Sequence, residues 1–221
     1  MLFHYFCVVF SVIMNTHPRP TRDQLAHLFA VFNSIHPIGK GIEQFLLKKS
    51  HIFTLSKGDY LLKNGNLCDS VYFITKGMLR GFITENRKEI TTWFALENEL
   101  VASISTFIAN PPAKQNIQAI EHCELVAMKL TDLDQLYLKY RSFNIIGRKI
   151  MELYYGLAES RAYITRLHDA EKKYELFLLY FSHYANRVQL TYIASFLGMT
   201  IETLSRVRAK SSSRRKILAD K

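Results

Sequence analysis

The stretch from Leu190 to Lys210 constrains the fold of this chain most strongly. It reads LTYIASFLGMTIETLSRVRAK, and its apolar residues have the spacing of two short helices separated by a glycine. Gly198 stands where the first helix must end, because glycine adopts the left-handed conformation of a helix C-terminus without a steric penalty. Thr200 is a favourable N-cap for the second helix, with Thr203 three residues later. The pattern predicts a helix-turn-helix, a motif whose second helix enters the major groove of DNA.

The outward face of the second helix carries side chains that suit base recognition. Glu202 and Arg206 are four residues apart and therefore lie on one side of the helix. A glutamate accepts from cytosine N4, and an arginine donates two hydrogen bonds to guanine O6 and N7. The alternative is a surface ion pair between the two, which contributes only about 0.3–0.5 kcal/mol. We predict DNA contacts from Thr200, Glu202, Thr203, Ser205, Arg206 and Lys210.

The positive charge of the chain is concentrated near the same motif. The formal net charge is +10, and between Arg187 and Lys221 eight lysines and arginines stand against two acidic residues. A basic C-terminal module is typical of nucleic-acid binding. A basic tail that only improves solubility explains the charge but not the helix-turn-helix pattern.

The sequence Glu202-Thr203-Leu204-Ser205-Arg206 resembles the E-T-[IVL]-S-R recognition helix of the CRP/FNR regulators, on the FNR side. The resemblance extends from about Phe45 to Arg208. It implies an α+β chain with an antiparallel double-stranded, jelly-roll-like β-roll as sensor domain, a long dimerisation helix and a C-terminal winged helix-turn-helix domain. It also implies a cytoplasmic homodimer that regulates transcription by binding a palindromic site in double-stranded DNA, with RNA polymerase as a further partner.

The N-terminal half has the strand pattern that this resemblance implies. Helical apolar spacing at 24–32 and 41–49 gives way to a period of two from His51 onwards. Short β-branched or aromatic runs separated by turn residues predict a small antiparallel double-sheet roll. The predicted strands are His51–Ser56, Tyr60–Lys63, Ser70–Thr75, Met78–Thr84, Glu89–Ala95 and Glu124–Leu130.

Relatives that bind cyclic AMP hold its phosphate with a cassette of G-E-L, a short helix and R-S. Here residues 98–100 keep the Glu and Leu but not the Gly, Ser103–Ala109 supplies the predicted short helix, and 110–115 contains no arginine. Lys114 offers a point charge rather than a bidentate fork, and two prolines remove backbone donors. We expect the roll to persist without binding cyclic AMP, and the effector itself is unknown. The candidate pocket residues are Glu99, Leu100 and Lys114.

A heptad pattern follows the roll. Apolar residues from 146 to 167 recur in alternating steps of four and three, with Ser160 as the one polar member. Such a pattern predicts the seam of a parallel helix pair, and the alternative is a long helix packed on its own roll. In the family this helix forms the dimer axis and relays effector binding. The predicted seam residues are Ile146, Ile150, Leu153, Leu157 and Ile164.

Metal and catalytic sites are not predicted. Cys7, Cys68 and Cys123 are widely spaced and form no Cys/His cluster, which argues against a zinc or iron–sulfur site and against a disulfide framework. No H-x-H metal motif, GxSxG or P-loop occurs, so no catalytic residue and no cofactor is assigned. Free cysteines fit the reducing cytoplasm.

The predicted organisation has four segments. Residues 1–14 are a non-native leader or a disordered segment, since Met14 is the preferred start and an apolar run of about 14 residues is shorter than the roughly 20 of a membrane span. The roll with its N-terminal helices occupies 15–140, the dimerisation helix 141–168 and the DNA-binding domain 169–221. Because 210–216 are polar and basic, we expect a truncated wing, with the last ten residues mobile or in contact with phosphates.

One alternative function remains open at this point. It is a ligand-binding or interaction protein that combines a cyclic-nucleotide-binding-like domain with a degenerate DNA-binding module.

Overall fold

The computed structural model describes residues 18–103 and 112–219. The N-terminal part begins with helices α1 and α2 and continues through eight short strands. The later part is helical. The elements are α1 (Ala26–Ile35), α2 (Lys40–Lys49), β1 (His51–Leu55), β2 (Tyr60–Leu62), β3 (Ser70–Lys76), β4 (Leu79–Glu85), β5 (Lys88–Ala95), β6 (Leu100–Val101), β7 (Asn116–Ala119), β8 (Cys123–Lys129), α3 (Leu130–Lys139), α4 (Arg141–Arg166), α5 (Ala170–Phe181), α6 (Leu190–Leu197) and α7 (Ile201–Ala219).

The described strands form two four-stranded sheets, in the orders β1-β8-β3-β6 and β2-β7-β4-β5. In the first sheet β8 pairs antiparallel with both β1 and β3, so that Leu125 lies opposite Phe53 and Val126 lies opposite Phe73. In the second sheet β2 pairs antiparallel with β7. Two antiparallel sheets are the predicted β-roll, and the chain is an α+β protein.

The first three helices cover one face of the first sheet. Phe73, Val126 and Met128 of the sheet belong to one buried cluster with the apolar faces of α1, α2 and α3. Phe143, at the start of α4, joins this cluster and meets the ring of Phe32 edge-on at 5.3 Å between centroids. Burying each such side chain contributes about 1.5–3 kcal/mol, which fixes the helices on the sheet.

Two tight turns show how the sequence shapes the roll. Gly77 has φ +92°, and a Cβ there would lie 2.2 Å from the backbone oxygen of His122, so both conformation and space require glycine. Asn86 and Arg87 form the two-residue loop between β4 and β5, with φ of +49° and +64°. Two consecutive positive φ angles are those of a type I′ hairpin turn.

The chain divides into two compact units. The first contains the described residues up to Arg80 together with Ala95–Ile150, and the second contains Gly81–Phe94 and the described residues from Met151 onwards. The second unit therefore holds most of the β4–β5 hairpin as well as the helix-turn-helix.

Most predicted strands are found within a residue or two of their expected bounds, but three elements differ. Leu130, predicted to end a strand, begins helix α3 instead, and strands β6 and β7 were not predicted. β7 is only four residues long and half of them are polar, so its pairing with β2 rather than its composition defines it.

The C-terminal segment, where we expected a truncated wing, continues helix α7. In the part of the chain that the structure describes, no strand follows α7, which runs to Ala219 and includes Ile217 and Leu218. No glycine or proline occurs after Gly198 to end the helix, and alanine, arginine and lysine favour its continuation.

Two predictions fall outside the described residues: the leader at 1–14 and, apart from Ser103, the short helix at Ser103–Ala109. None of the helices in the described ranges is both long enough and apolar enough to cross a membrane.

Candidate nucleic-acid interface

The turn between α6 and α7 is a Schellman motif. Gly198 adopts the left-handed conformation at φ +62°, as predicted. The Met199 N–H donates to the Ala194 carbonyl at 3.0 Å, and the Gly198 N–H donates to the Ser195 carbonyl at 3.2 Å. These two bonds satisfy carbonyls that a helix C-terminus leaves without partners, and they give the turn one defined shape.

The N-terminus of α7 is capped as the sequence predicts. The Thr200 Oγ1 accepts from the Thr203 N–H at 3.2 Å and lies 3.2 Å from the Thr203 hydroxyl. A hydrogen bond from the backbone N–H of Glu202, and a second with the Thr200 side chain, hold the pKa of the Glu202 carboxyl below its ordinary value. The carboxylate therefore stays ionised in the first turn, where it also suits the helix dipole.

The faces of α7 divide as predicted. Leu204 and Val207 are buried at 0% and 6% exposure, whereas Glu202, Ser205 and Arg206 are exposed. Within the described part of the chain, Glu202 and Arg206 do not form the ion pair considered as their alternative. The structure thus brings these polar side chains to one open face of the helix.

An aromatic cluster supports α6 from behind. The ring of Phe196 lies 5.8 Å from Phe177, 5.9 Å from Phe181 and 5.8 Å from Phe94. Phe94 also lies 5.7 Å from Tyr184. Such aromatic pairs contribute about 0.5–1.5 kcal/mol each beyond the area they bury, so α6 is held on α5 and on strand β5.

Two polar contacts of α6 were missed at the level of sequence. The Lys173 Nζ on α5 donates to the Leu197 carbonyl at 2.8 Å. The Ser195 Oγ accepts from the Thr91 N–H and donates to the Glu89 carbonyl, each at 3.0 Å. A serine or lysine in a helix is usually solvent-exposed, so the residue type alone does not predict a buried hydrogen bond at either position.

Lys210, predicted to contact DNA, has an intramolecular partner. Its Nζ forms an ion pair with Glu171 of α5, in which the lysine side chain is 52% exposed and the glutamate 34%. The pair links α7 to α5. Any contact of Lys210 with a phosphate therefore competes with Glu171.

The predicted dimer seam on α4 is only partly exposed. Ile146 and Ile164 are fully buried within the chain, and Ile150 packs against the cluster of the first unit. Leu153 is 60% exposed and Leu157 is half-buried. Among these seam positions, Leu153 and Leu157 are accessible to a partner helix. The buried positions instead pack within the chain, as in the alternative considered for this helix.

The candidate effector residues have ordinary structural contacts. Asn98 adopts φ +70° where cyclic AMP-binding relatives have glycine, and the Glu99 Oε2 accepts from the Leu96 N–H at 3.0 Å across this turn. Leu100 lies in β6, and Lys114 is exposed. The described residues contain no group of three or more His, Cys, Asp or Glu side chains that could hold a metal ion.

The comparisons with known proteins agree with this architecture. The family described as Cyclic nucleotide-binding domain matches residues 52–140. The chain is 26% identical to the transcriptional activator protein Anr of Pseudomonas protegens, over 75% of this chain and 72% of Anr. It is 27% identical to the transcriptional activator protein FnrA of Stutzerimonas stutzeri, over 69% of this chain and 67% of FnrA.

A solved structure shares the fold. A CooA mutant from Carboxydothermus hydrogenoformans superposes with a TM-score of 0.66 at 16% identity, over 85% of this chain and 84% of that one. At this identity the likeness concerns the fold alone. The curated relatives, the matched domain and the helix-turn-helix geometry show that the chain is similar to the transcription regulators of the CRP/FNR family.

Proposed function

We propose that this regulator is a homodimer that reads a palindromic DNA site through the N-terminal half of α7. The observation that carries the proposal is the exposed face of Glu202, Ser205 and Arg206 on a helix that is capped at Thr200 and anchored at Leu204. A helix fits into the major groove, which is about 12 Å wide and 8.5 Å deep, and its polar side chains then reach the base edges.

Arg206 and Glu202 have separate tasks in this proposal. Arg206 donates two hydrogen bonds to a guanine, and Glu202 accepts from a cytosine or a neighbouring base. The lowered pKa of Glu202 supports this role, because an ionised carboxylate is an acceptor only. Thr200 and Thr203 are occupied with capping each other, so we assign them to positioning and, through their exposed sides, to the phosphates.

The dimer is proposed on the middle of α4. Leu153 is 60% exposed, and Leu157, one turn further along the same face of the helix, is half-buried. Single exposed apolar residues are common, but two of them one turn apart on a long helix fit an interface. A partner helix packed along this face would cover both side chains.

The β-roll is proposed to bind an effector other than cyclic AMP. The Glu99 carboxylate is engaged by its own turn, no arginine occurs between 110 and 115, and Lys114 provides a single exposed charge. A cyclic phosphate needs paired donors and a desolvated setting for tight binding, and these residues supply neither.

The test is a selection of duplexes from a random-sequence pool by the purified protein, followed by fluorescence anisotropy at several salt concentrations. We expect one enriched palindrome, bound at least 1,000-fold more tightly than random DNA, in line with specific regulators. Uniform weak binding with a steep salt dependence, or none, would instead favour the alternative of an interaction protein with a degenerate DNA-binding module.

A further inference from the structure

Lys173 is a charged side chain buried inside the helix-turn-helix module. It lies on α5, is 8% exposed, and its Nζ donates to the carbonyl of Leu197, the last residue of α6, at 2.8 Å. Burying an ammonium group is costly unless it is compensated. The C-terminal end of a helix compensates it, because the free carbonyls there carry partial negative charge.

The ammonium group adds a hydrogen bond to the α6–α7 turn. The carbonyls of Ala194 and Ser195 are used by the amides of Met199 and Gly198. The carbonyl of Leu197, two residues after Ser195, accepts from the Lys173 ammonium group. A Cβ at Gly198 would lie 3.6 Å from the Lys173 Nζ, so the ammonium group packs directly against the residue that sets the direction of α7.

We infer that Lys173 is a positioning residue for sequence reading by α7, an inference that rests on the proposed function. Lys173 is buried on α5 and does not reach the exposed face of α7, so it acts on that face through the α6–α7 turn. It fixes the turn against α5 and thereby the direction in which α7 carries Glu202 and Arg206. Hydrogen bonds to base edges depend steeply on geometry, whereas phosphate contacts tolerate small shifts. Displacing the turn therefore lowers discrimination between sequences more than it lowers general affinity for DNA.

A second contact, between α5 and α7, makes this role separable. Glu171, also on α5, pairs with Lys210 further along α7. Loss of Lys173 leaves that pair in place, so α7 stays attached to α5 while its N-terminal end is released. The consequence is a change in the angle of α7 rather than separation of the helix from the module.

The experiment compares K173M with K172M. Methionine keeps the length and apolar stem of lysine but removes the ammonium group, and Lys172 is the exposed neighbour, so K172M is matched for loss of charge. Each protein is titrated by fluorescence anisotropy against the duplex that the wild type selects from a random pool and against a random duplex. We expect the ratio of the two affinities to fall at least tenfold in K173M and to stay within twofold of wild type in K172M.

Folding is checked by circular dichroism and thermal unfolding. A folded K173M with a wild-type ratio, or one that loses both affinities equally, overturns the inference. Should K173M not fold, K173R decides: it keeps the charge, but its longer, planar head displaces the turn. The ratio should then fall at least threefold with random-DNA affinity unchanged, and an unchanged ratio overturns the inference. Failure of the wild type to select any sequence contradicts the proposed function instead.

Discussion

Individual side chains of α7 differ in what they can contribute to DNA binding. Arg206 is exposed and lies in the first half of the helix, where a groove-bound helix meets the bases. Lys210 is one turn further on and is already paired with Glu171. Base contacts and phosphate contacts affect affinity in different ways, because only the former depend on sequence. Substitution of single residues can therefore separate the two.

Arg206→Ala is expected to lower affinity for the selected palindrome by roughly 1–3 kcal/mol per half-site and to relax preference at the contacted base pair, because a bidentate base contact is lost. The measurement is fluorescence anisotropy on matched duplexes and on duplexes with single-base substitutions. The Lys172→Ala protein, altered on α5, is the control. Equal losses on specific and random DNA would mean that α7 does not read sequence.

Glu171→Gln is expected to strengthen binding to all DNA sequences alike. It releases Lys210 from an exposed ion pair, and such pairs contribute only about 0.2–1 kcal/mol. The freed ammonium group can then neutralise a phosphate, which steepens the salt dependence by about one unit. Anisotropy on random duplexes at four salt concentrations measures this. Glu175→Gln, at an exposed position of the same helix, is the control, and the effect should vanish in Glu171→Gln/Lys210→Ala.

At the scale of helices and strands, local sequence predicts an element well where its own residues define it. The helix-turn-helix is such a case, because Gly198 and Thr200 fix its turn and cap. Strand β7 is not, since four partly polar residues become a strand only by pairing with β2. Periodicity located the seam on α4 but could not say that Ile146 and Ile164 are buried within the chain.

The contacts that position α6 show a second limit of sequence. Lys173 and Leu197 are 24 residues apart, and Ser195 and Thr91 are 104 apart. No local spacing rule links such partners, and each is an ordinary helix or strand residue by type. Their roles arise only when the fold brings a buried donor to an unused backbone group.

Leu153→Lys together with Leu157→Lys is expected to convert a dimer to monomers. Two charges would replace apolar side chains at the exposed middle of α4, and their burial against a partner helix would be strongly unfavourable. Light scattering coupled to size exclusion gives the mass. Leu138→Lys, at an 85% exposed position on α3, is the matched control and should remain dimeric. A monomeric wild type would remove the basis of the dimer proposal.

At the scale of the whole molecule, the chain combines a β-roll whose sequence departs from the cyclic AMP cassette with a helix-turn-helix whose turn and N-cap are those we predicted. The family match covers the roll, at residues 52–140, yet residues 110–115 lack arginine. This combination fits our proposal that the input of the regulator differs from that of cyclic AMP-binding relatives while its output remains DNA binding.

Cyclic AMP at millimolar concentration is therefore expected not to bind measurably. The reason is that residues 110–115 contain no arginine to give the phosphate a bidentate contact, which Lys114 cannot replace. Isothermal titration calorimetry on the purified dimer tests this. A micromolar dissociation constant would contradict the expectation and would show that other groups complete the site.

The spacing of half-sites is the last prediction and depends on the molecule as a symmetric dimer. Two copies of α7 related by a two-fold axis should meet successive major-groove faces on one side of the duplex, with half-site centres about 34 Å apart. Inserting five base pairs between the half-sites turns the second one to the opposite face of the DNA. The affinity of the wild type should then fall to its affinity for a duplex with a single half-site. The Leu153→Lys/Leu157→Lys monomers should bind the original palindrome and the palindrome with the insertion equally well. Anisotropy on the three duplexes gives the comparison, and binding by the wild type that is indifferent to the insertion would mean that each helix-turn-helix reads its half-site independently.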